Sequence, residues 1–329
     1  MYKAFFNLTR NPFDLSPDPR CFVPTKHHDE ALAALYYGIR RHKGFVVLTG
    51  EVGTGKTLLL RCLLELLKES RDISYAYVFN GRLSSTEFLQ YILADFGLPA
   101  SGKNKSELLL DLGQFLVSRG SKKMTTVLII DEAHHLSADI LEEIRLLSNL
   151  ETDDEKLLQI VLVGQPELNE KLDSVELRQL KQRIAVRTHL GSLDASEVEQ
   201  YVRKRLQIAG RTSDSGSLFP DQTVAALYRH SRGLPRLINT ICDNALITAY
   251  ARRSPSITPE IVDEVAREFR LDVDYSQMNG RPRRSSETDA QRAASLLLKL
   301  YETLQSHIAG DSDFDTPITA ETSKHEPYI

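Results

Sequence analysis

Nowhere in the 329 residues does an apolar run approach the roughly 18 to 20 needed to cross a bilayer. The opening MYKAFFNLTRNPF also lacks the charged start and long apolar stretch of a secretory leader. Neither insertion nor secretion is expected, and a cytoplasmic setting is. Cysteine is equally sparse: Cys21, Cys62 and Cys242 are odd in number, far apart and without metal-ligand spacing. That argues against a disulfide framework and fits buried thiols in a reducing compartment. An excess of one charge is lacking too. With 41 Lys+Arg against 45 Asp+Glu, a net -4, the chain is not coated uniformly in basic residues for indiscriminate nucleic-acid binding. The balance is uneven, however. Residues 1–270 hold 35 bases and 35 acids, whereas 271–329 hold 6 and 10, so the bulk charge reports an acidic end and leaves room for a local basic patch. No internal repeat is present.

What is there is enough apolar material, 41% of residues, to build a sizeable core over two domains. Apolar runs flanked by turn residues predict strands at Phe45–Thr49, Tyr75–Phe79, Thr126–Ile130 and Ile160–Val163, with a fifth at Ala185–His189. Helical spacing fills 57–69, 86–96, 105–119 and 137–150 between them. Strands alternating with helices predict an α/β fold with a mostly parallel sheet covered on both faces, over residues 1–193. From Asp194 the texture changes. Asp194-Ala195-Ser196-Glu197 reads as a capping box, and apolar spacing after Pro220, Pro235 and Pro259 predicts further helices, so 194–270 is expected to be a small all-helical domain. Residues 271–286, with Arg281-Pro282-Arg283-Arg284, read as a solvated linker, 287–309 as an amphipathic helix in need of a partner surface, and 310–329 as a disordered acidic tail.

Gly50-Glu51-Val52-Gly53-Thr54-Gly55-Lys56-Thr57 matches the whole G-x-x-x-x-G-K-[ST] pattern, with a strand before it and a helix after it. The glycines let consecutive backbone N–H groups turn toward anionic oxygens, and the helix start adds its positive dipole end. Lys56 is expected to reach the β- and γ-phosphates of ATP, and Thr57 offers the hydroxyl that ligates Mg²⁺ in such loops. Thr126-Val-Leu-Ile-Ile-Asp131-Glu132 is a buried-type strand that ends in two carboxylates, where a parallel sheet delivers side chains to a ligand. Asp131 suits the Mg²⁺ shell, and Glu132 suits a base for an attacking water. His134 and His135, adjacent and without further ligands, read as loop residues, with His134 near enough to Glu132 to affect its orientation.

These residues resemble the AAA+ ATPases, and more closely the ExeA/GspA branch associated with general secretion and pilus assembly. The likeness covers about residues 2–270. It is carried by Phe5-Phe6-Asn7-Leu8, Asn11-Pro12-Phe13-Asp14-Leu15-Ser16-Pro17-Asp18, His28-Asp29-Glu30-Ala31-Leu32, the two nucleotide motifs, Leu146-Leu-Ser-Asn-Leu-Glu151, Val163-Gly-Gln-Pro-Glu-Leu168 and Gly233-Leu-Pro-Arg-Leu-Ile-Asn239. The resemblance implies a nucleotide held between an α/β domain and a helical lid, usually at a contact between subunits, and hence a homo-oligomeric ring or filament. It implies further that Arg236 is the lid arginine that touches the γ-phosphate from the same chain. Arg183, with Arg178 as the competitor, is the finger that reaches a neighbour's nucleotide. Gln165 stands where a polar residue aligns the water, although Asn, Ser or Thr is more usual there. Phe5, Phe6, Phe13 and His28 either border the adenine or pack as an apolar arm.

Many members of that branch continue into a membrane-spanning helix and a cell-wall-binding domain. Neither is seen here, so any link to the envelope is expected to run through a partner. The competing expectation is a DNA-associated ATPase resembling transposition helpers or origin-recognition relatives, with Arg281–Arg284 and the arginines around 178–187 and 203–205 as contacts.

Overall fold

The computed structural model describes residues 2–79, 83–152, 155–212 and 216–271. The linker, amphipathic helix and acidic tail expected after Leu271 lie outside the described residues. Five strands, β1 (Phe45–Gly50), β2 (Ile73–Val78), β3 (Thr125–Ile130), β4 (Gln159–Gly164) and β5 (Ile184–Leu190), form one parallel sheet in the order β2-β3-β4-β1-β5. The three central strands are buried along their whole length, as their unbroken apolar runs FVVL, VLII and IVLV require of strands covered on both faces. The edges β2 and β5 instead leave most of their residues partly or fully open.

Side chains leave each strand on alternate faces, so successive residues build two different cores. Phe45, Val47, Leu128, Ile130, Ile160 and Leu162 pack under α4 (Ser85–Asp95), α5 (Lys105–Gly120), α6 (Ala138–Leu147), α7 (Glu167–Leu172) and α8 (Arg178–Arg183). Val46, Leu48, Val127, Ile129, Val161 and Val163 pack under α2 (Lys26–Arg40) and α3 (Lys56–Glu69). Helices α4 and α5 open on complete capping boxes, Ser84 with Glu87 and Asn104 with Glu107, each satisfying two backbone donors left over at a helix start.

A third core belongs to α9 (Ala195–Ile208), α10 (Asp221–Ser231), α11 (Pro235–Ala251) and α12 (Pro259–Glu268). The expected capping box of Asp194 and Glu197 is present, and Pro235 and Pro259 start their helices at positions where a missing N–H costs nothing. The amino-terminal arm joins this core. Tyr2 and Phe6, on and just after the short α1 (Tyr2–Phe5), are buried with Leu8 and Phe13 among the lid helices, and Phe13 meets Phe219 edge to face. Phe5 stays partly exposed against Tyr250. Apolar packing of the arm therefore accounts for Phe6 and Phe13.

One buried cation fastens the arm. Arg205 of α9 is 4% exposed and donates Nε to the Pro12 carbonyl at 2.6 Å, Nη1 to Cys21 at 3.1 Å and Nη2 to Asp14 at 3.0 Å. Three carbonyl acceptors compensate a charge that burial alone would make costly. Further along the same segment, Arg61 of α3 donates to the Pro17 carbonyl at 2.6 Å.

A candidate nucleotide site at the carboxyl edge of the sheet

The eight-residue glycine loop begins on the last residue of β1 and ends on the first turn of α3. Its curvature rests on Gly53 at φ +86° and Gly55 at φ +102°, a region costly for residues with a side chain. Space is short as well: a Cβ on Gly53 would clash with Arg236 Cβ at 2.8 Å, and one on Gly55 would press on His28 Nε2 at 3.1 Å. Thr54 ties the loop across itself through its hydroxyl to the Glu51 carbonyl at 2.9 Å. Glu51, Val52 and Thr57 are exposed at the loop and first helical turn, open to a ligand. Lys56 is 7% exposed and donates Nζ to the carbonyls of Gly50 at 2.7 Å and Glu51 at 2.9 Å. Burial pushes its pKa down, and the carboxylates of Glu132 and Asp131 act against that shift.

Strand β3 delivers Asp131 to the same edge, 4% exposed, with each oxygen already holding one donor. The Glu132 N–H donates to Oδ1 at 2.8 Å and the Tyr77 hydroxyl to Oδ2 at 3.0 Å. Burial raises the Asp131 pKa, while those donors and Lys56 hold it down. A buried carboxylate and an exposed threonine hydroxyl that ends a phosphate loop are hard oxygen donors of the kind Mg²⁺ accepts. Glu132 is turned by φ +51°, an uncommon conformation for a residue with a side chain. Its Oε2 is buried and accepts no hydrogen bond, with His134 Nδ1 as a neighbour at 3.4 Å. That nitrogen accepts from the Gln165 N–H, also at 3.4 Å, and burial followed by the charge of His135 keeps the imidazole pKa below its ordinary value. His134 is therefore a neutral acceptor on that side and leaves the glutamate oxygen unpaired. Lys171 fixes the turn beneath by donating to the carbonyls of His134 and Leu136, both at 2.7 Å.

The sheet thus gathers the glycine loop, Lys56, Asp131, Glu132 and Gln165 at one edge. The helical region reaches the loop as well: Arg236, second residue of α11, donates its N–H to the Gly53 carbonyl at 3.1 Å and leaves its side chain exposed. His28 closes the loop from beneath. It is 5% exposed, hydrogen-bonded to Thr25 Oγ1 at 2.8 Å, edge-on to Phe22, and pushed down by burial to a pKa of about 4. Arg183 stands elsewhere. It ends α8 immediately before β5, whose Ile184 is level with Phe45 and whose Leu190 is level with Gly50. About five strand residues, roughly 17 Å at about 3.3 Å each, separate it from the loop of its own chain. There it is half-buried and donates Nη1 to Ser148 Oγ at 2.8 Å. Arg178, at the start of α8, is exposed.

Two residues escaped the reading of the sequence. Tyr77 looked like one more apolar strand position, and its register opposite the end of β3 was the available signal. Arg205 looked like part of a basic cluster, and nothing local marked it as buried. Of that cluster, Arg203 is paired with Glu199.

The AAA domain family matches residues 39–172. The chain is 46% identical over 258 residues to general secretion pathway protein A of Aeromonas hydrophila, covering 78% of this chain and 46% of that protein, so it spans about half the length of that relative. It is 25% identical over 266 residues to the ATP-dependent target DNA activator B of Escherichia phage Mu, covering 80% of this chain and 78% of that one. Among solved structures the fold is shared with Cdc6p from Pyrobaculum aerophilum, at a TM-score of 0.59, 18% identity and coverage of 91% and 88%. It is shared also with the Drosophila ORC bound to DNA, at a TM-score of 0.59, 16% identity and coverage of 92% and 83%. No helix of the described residues is long and apolar enough to cross a membrane. Residues 39–172 are thus an AAA domain on a P-loop fold, in a chain related to general secretion pathway protein A over about half of that protein's length.

Proposed function

We propose that the chain binds Mg-ATP in the loop Gly50–Thr57 and hydrolyses it, working in a homo-oligomer that drives or regulates assembly of a secretion, pilus or exopolysaccharide export system. The observation that carries the hydrolytic reading is the unpaired, buried Oε2 of Glu132 beside a neutral His134. A carboxylate oxygen left without a donor at a site edge is costly unless something is meant to donate to it, and an attacking water does so as it loses its proton. Asp131 and Thr57 supply the oxygens for the metal, which when bound draws charge from the phosphate oxygens. Lys56 exchanges its two loop carbonyls for phosphate oxygens, and the loop N–H groups orient them. Arg236 reads the γ-phosphate from the lid, and Gln165 aligns the water. The export assignment rests on the identity to general secretion pathway protein A.

Replacement of Lys56 by Ala is expected to abolish nucleotide binding in a fluorescent-ATP titration. Glu132→Gln is expected to keep binding and lose about 10²-fold or more in turnover. Equal ATP affinity in the wild type and Lys56→Ala would overturn the assignment. What co-purifies with Glu132→Gln trapped in ATP identifies the assembly.

A second reading, an ATPase that assembles on DNA, is favoured by the match over 78% of the phage Mu activator. Against it, Arg205 is consumed by the arm and Arg203 by Glu199. Duplex affinity that requires ATP and falls steeply with salt would decide for it, and no binding at low salt would decide against it.

A further inference from the structure

Strand β2 is an edge of the sheet, yet one of its side chains crosses to the centre of the site. Tyr77 lies in register with Ile129 of β3, and the pairing runs one step past the strand, where the Asp131 N–H donates to the Val78 carbonyl at 2.8 Å. Tyr77, Ile129 and Asp131 therefore leave the ladder on the same face, the one covered by α2 and α3. Asp131 is the diagonal neighbour of Tyr77, roughly 7 to 8 Å away from backbone to backbone, a gap that a phenol spans and a serine or threonine does not. The hydroxyl arrives at 3.0 Å from Oδ2. The strand beneath it is pinned from the other side, because the Tyr77 N–H, which no further strand of the described residues receives, donates to Asp95 Oδ2 at 2.6 Å at the end of α4.

We propose that Tyr77 is a positioning residue for Asp131: its O–H, with the Glu132 N–H on the other oxygen, locks the carboxylate so that its free lone pairs face the metal of a bound nucleotide. The proposal rests on the reading of Asp131 as a Mg²⁺ ligand. Residues that orient a metal ligand in this manner characteristically change metal affinity by ten-fold or more when lost. The carboxylate without its phenol is free to rotate, and it presents the metal with an unordered oxygen.

The test uses the full chain carrying Glu132→Gln, so that nucleotide is not consumed, with and without Tyr77→Phe. Binding of a fluorescent ATP analogue is titrated with Mg²⁺ and repeated in chelator. Tyr77→Phe is expected to raise the half-saturating Mg²⁺ about ten-fold and to leave metal-free affinity unchanged. An unchanged Mg²⁺ requirement overturns the proposal. So does an equal loss in chelator, since a merely structural role would weaken both. Asp131→Asn separates the two levels: a Mg²⁺ requirement unaltered by it removes the metal reading of Asp131, and the role of Tyr77 falls with it.

Discussion

At its carboxyl edge the parallel sheet collects a glycine loop, a buried lysine, two carboxylates and a lid arginine; at its amino edge it holds Arg183, roughly a strand's length away. The first edge is over-determined. Lys56 is fixed there by two loop carbonyls, Asp131 by Tyr77 and the Glu132 N–H, and the turn beneath by Lys171. The second edge presents a cation with one hydroxyl partner, Ser148, and the negative charges of Glu142 and Glu151 nearby. Arg183 lies too far along the strand to serve the loop of its own chain, so the finger role that the family resemblance implies for it is proposed to act on the loop of a neighbour. In the proposed function, then, the two edges are the two halves of an active site that meet between copies.

The sharpest way to break that comparison is to remove the isolated half. Arg183→Ala is expected to lower ATP turnover about 10³-fold while nucleotide binding stays normal, because the arginine meets charge that develops only in the transition state. Mixing it with the Lys56→Ala form, which has an intact finger and no working pocket, is expected to restore part of the activity. Full hydrolysis by a dilute monomer would show that the carboxyl edge suffices alone. Arg178→Ala in parallel distinguishes the two arginines of α8.

The arm offers a second test, since it connects the lid with the helix that carries the glycine loop. Removal of the Arg205 side chain leaves the carbonyls of Pro12, Asp14 and Cys21 without their shared donor in a buried setting. Arg205→Ala is expected to cost about 3 kcal/mol in denaturant unfolding and to expose the first twenty residues to protease. Wild-type resistance to both would mean that the arm's other contacts, its aromatic anchors Tyr2, Phe6 and Phe13 and the Arg61 bond to Pro17, suffice to hold it.

The carboxyl edge was legible in advance because its chemistry is local: five strands, the loop and the pair Asp131 and Glu132 are each written in one contiguous stretch. Strand ends differed by a residue or two, as at β2, which runs Ile73–Val78 where the apolar run suggested Tyr75–Phe79. What stayed hidden depends on long-range register. Tyr77 reaches Asp131 across 54 residues and Arg205 reaches Pro12 across 193, and no periodicity in either segment announces its partner. The short helices α7 and α8 were likewise unread, because six residues carry too little period to distinguish a helix from a loop.

The smallest effect concerns the histidine under the loop. Burial holds folded His28 near a pKa of about 4, against about 6.5 in the unfolded chain. Below pH 6.5 the unfolded chain takes up a proton that the folded chain refuses, so stability is full above that pH and falls as the pH drops toward 4. Between pH 7.5 and 5 the loss amounts to about 2 kcal/mol. Because His28 Nε2 lies against Gly55, the same protonation places a charge beneath the glycine loop at the carboxyl edge. Equilibrium unfolding of the wild type and His28→Gln across this range is the measurement. The variant is expected to lose that part of the pH slope, and an identical slope in both would place the acid sensitivity elsewhere.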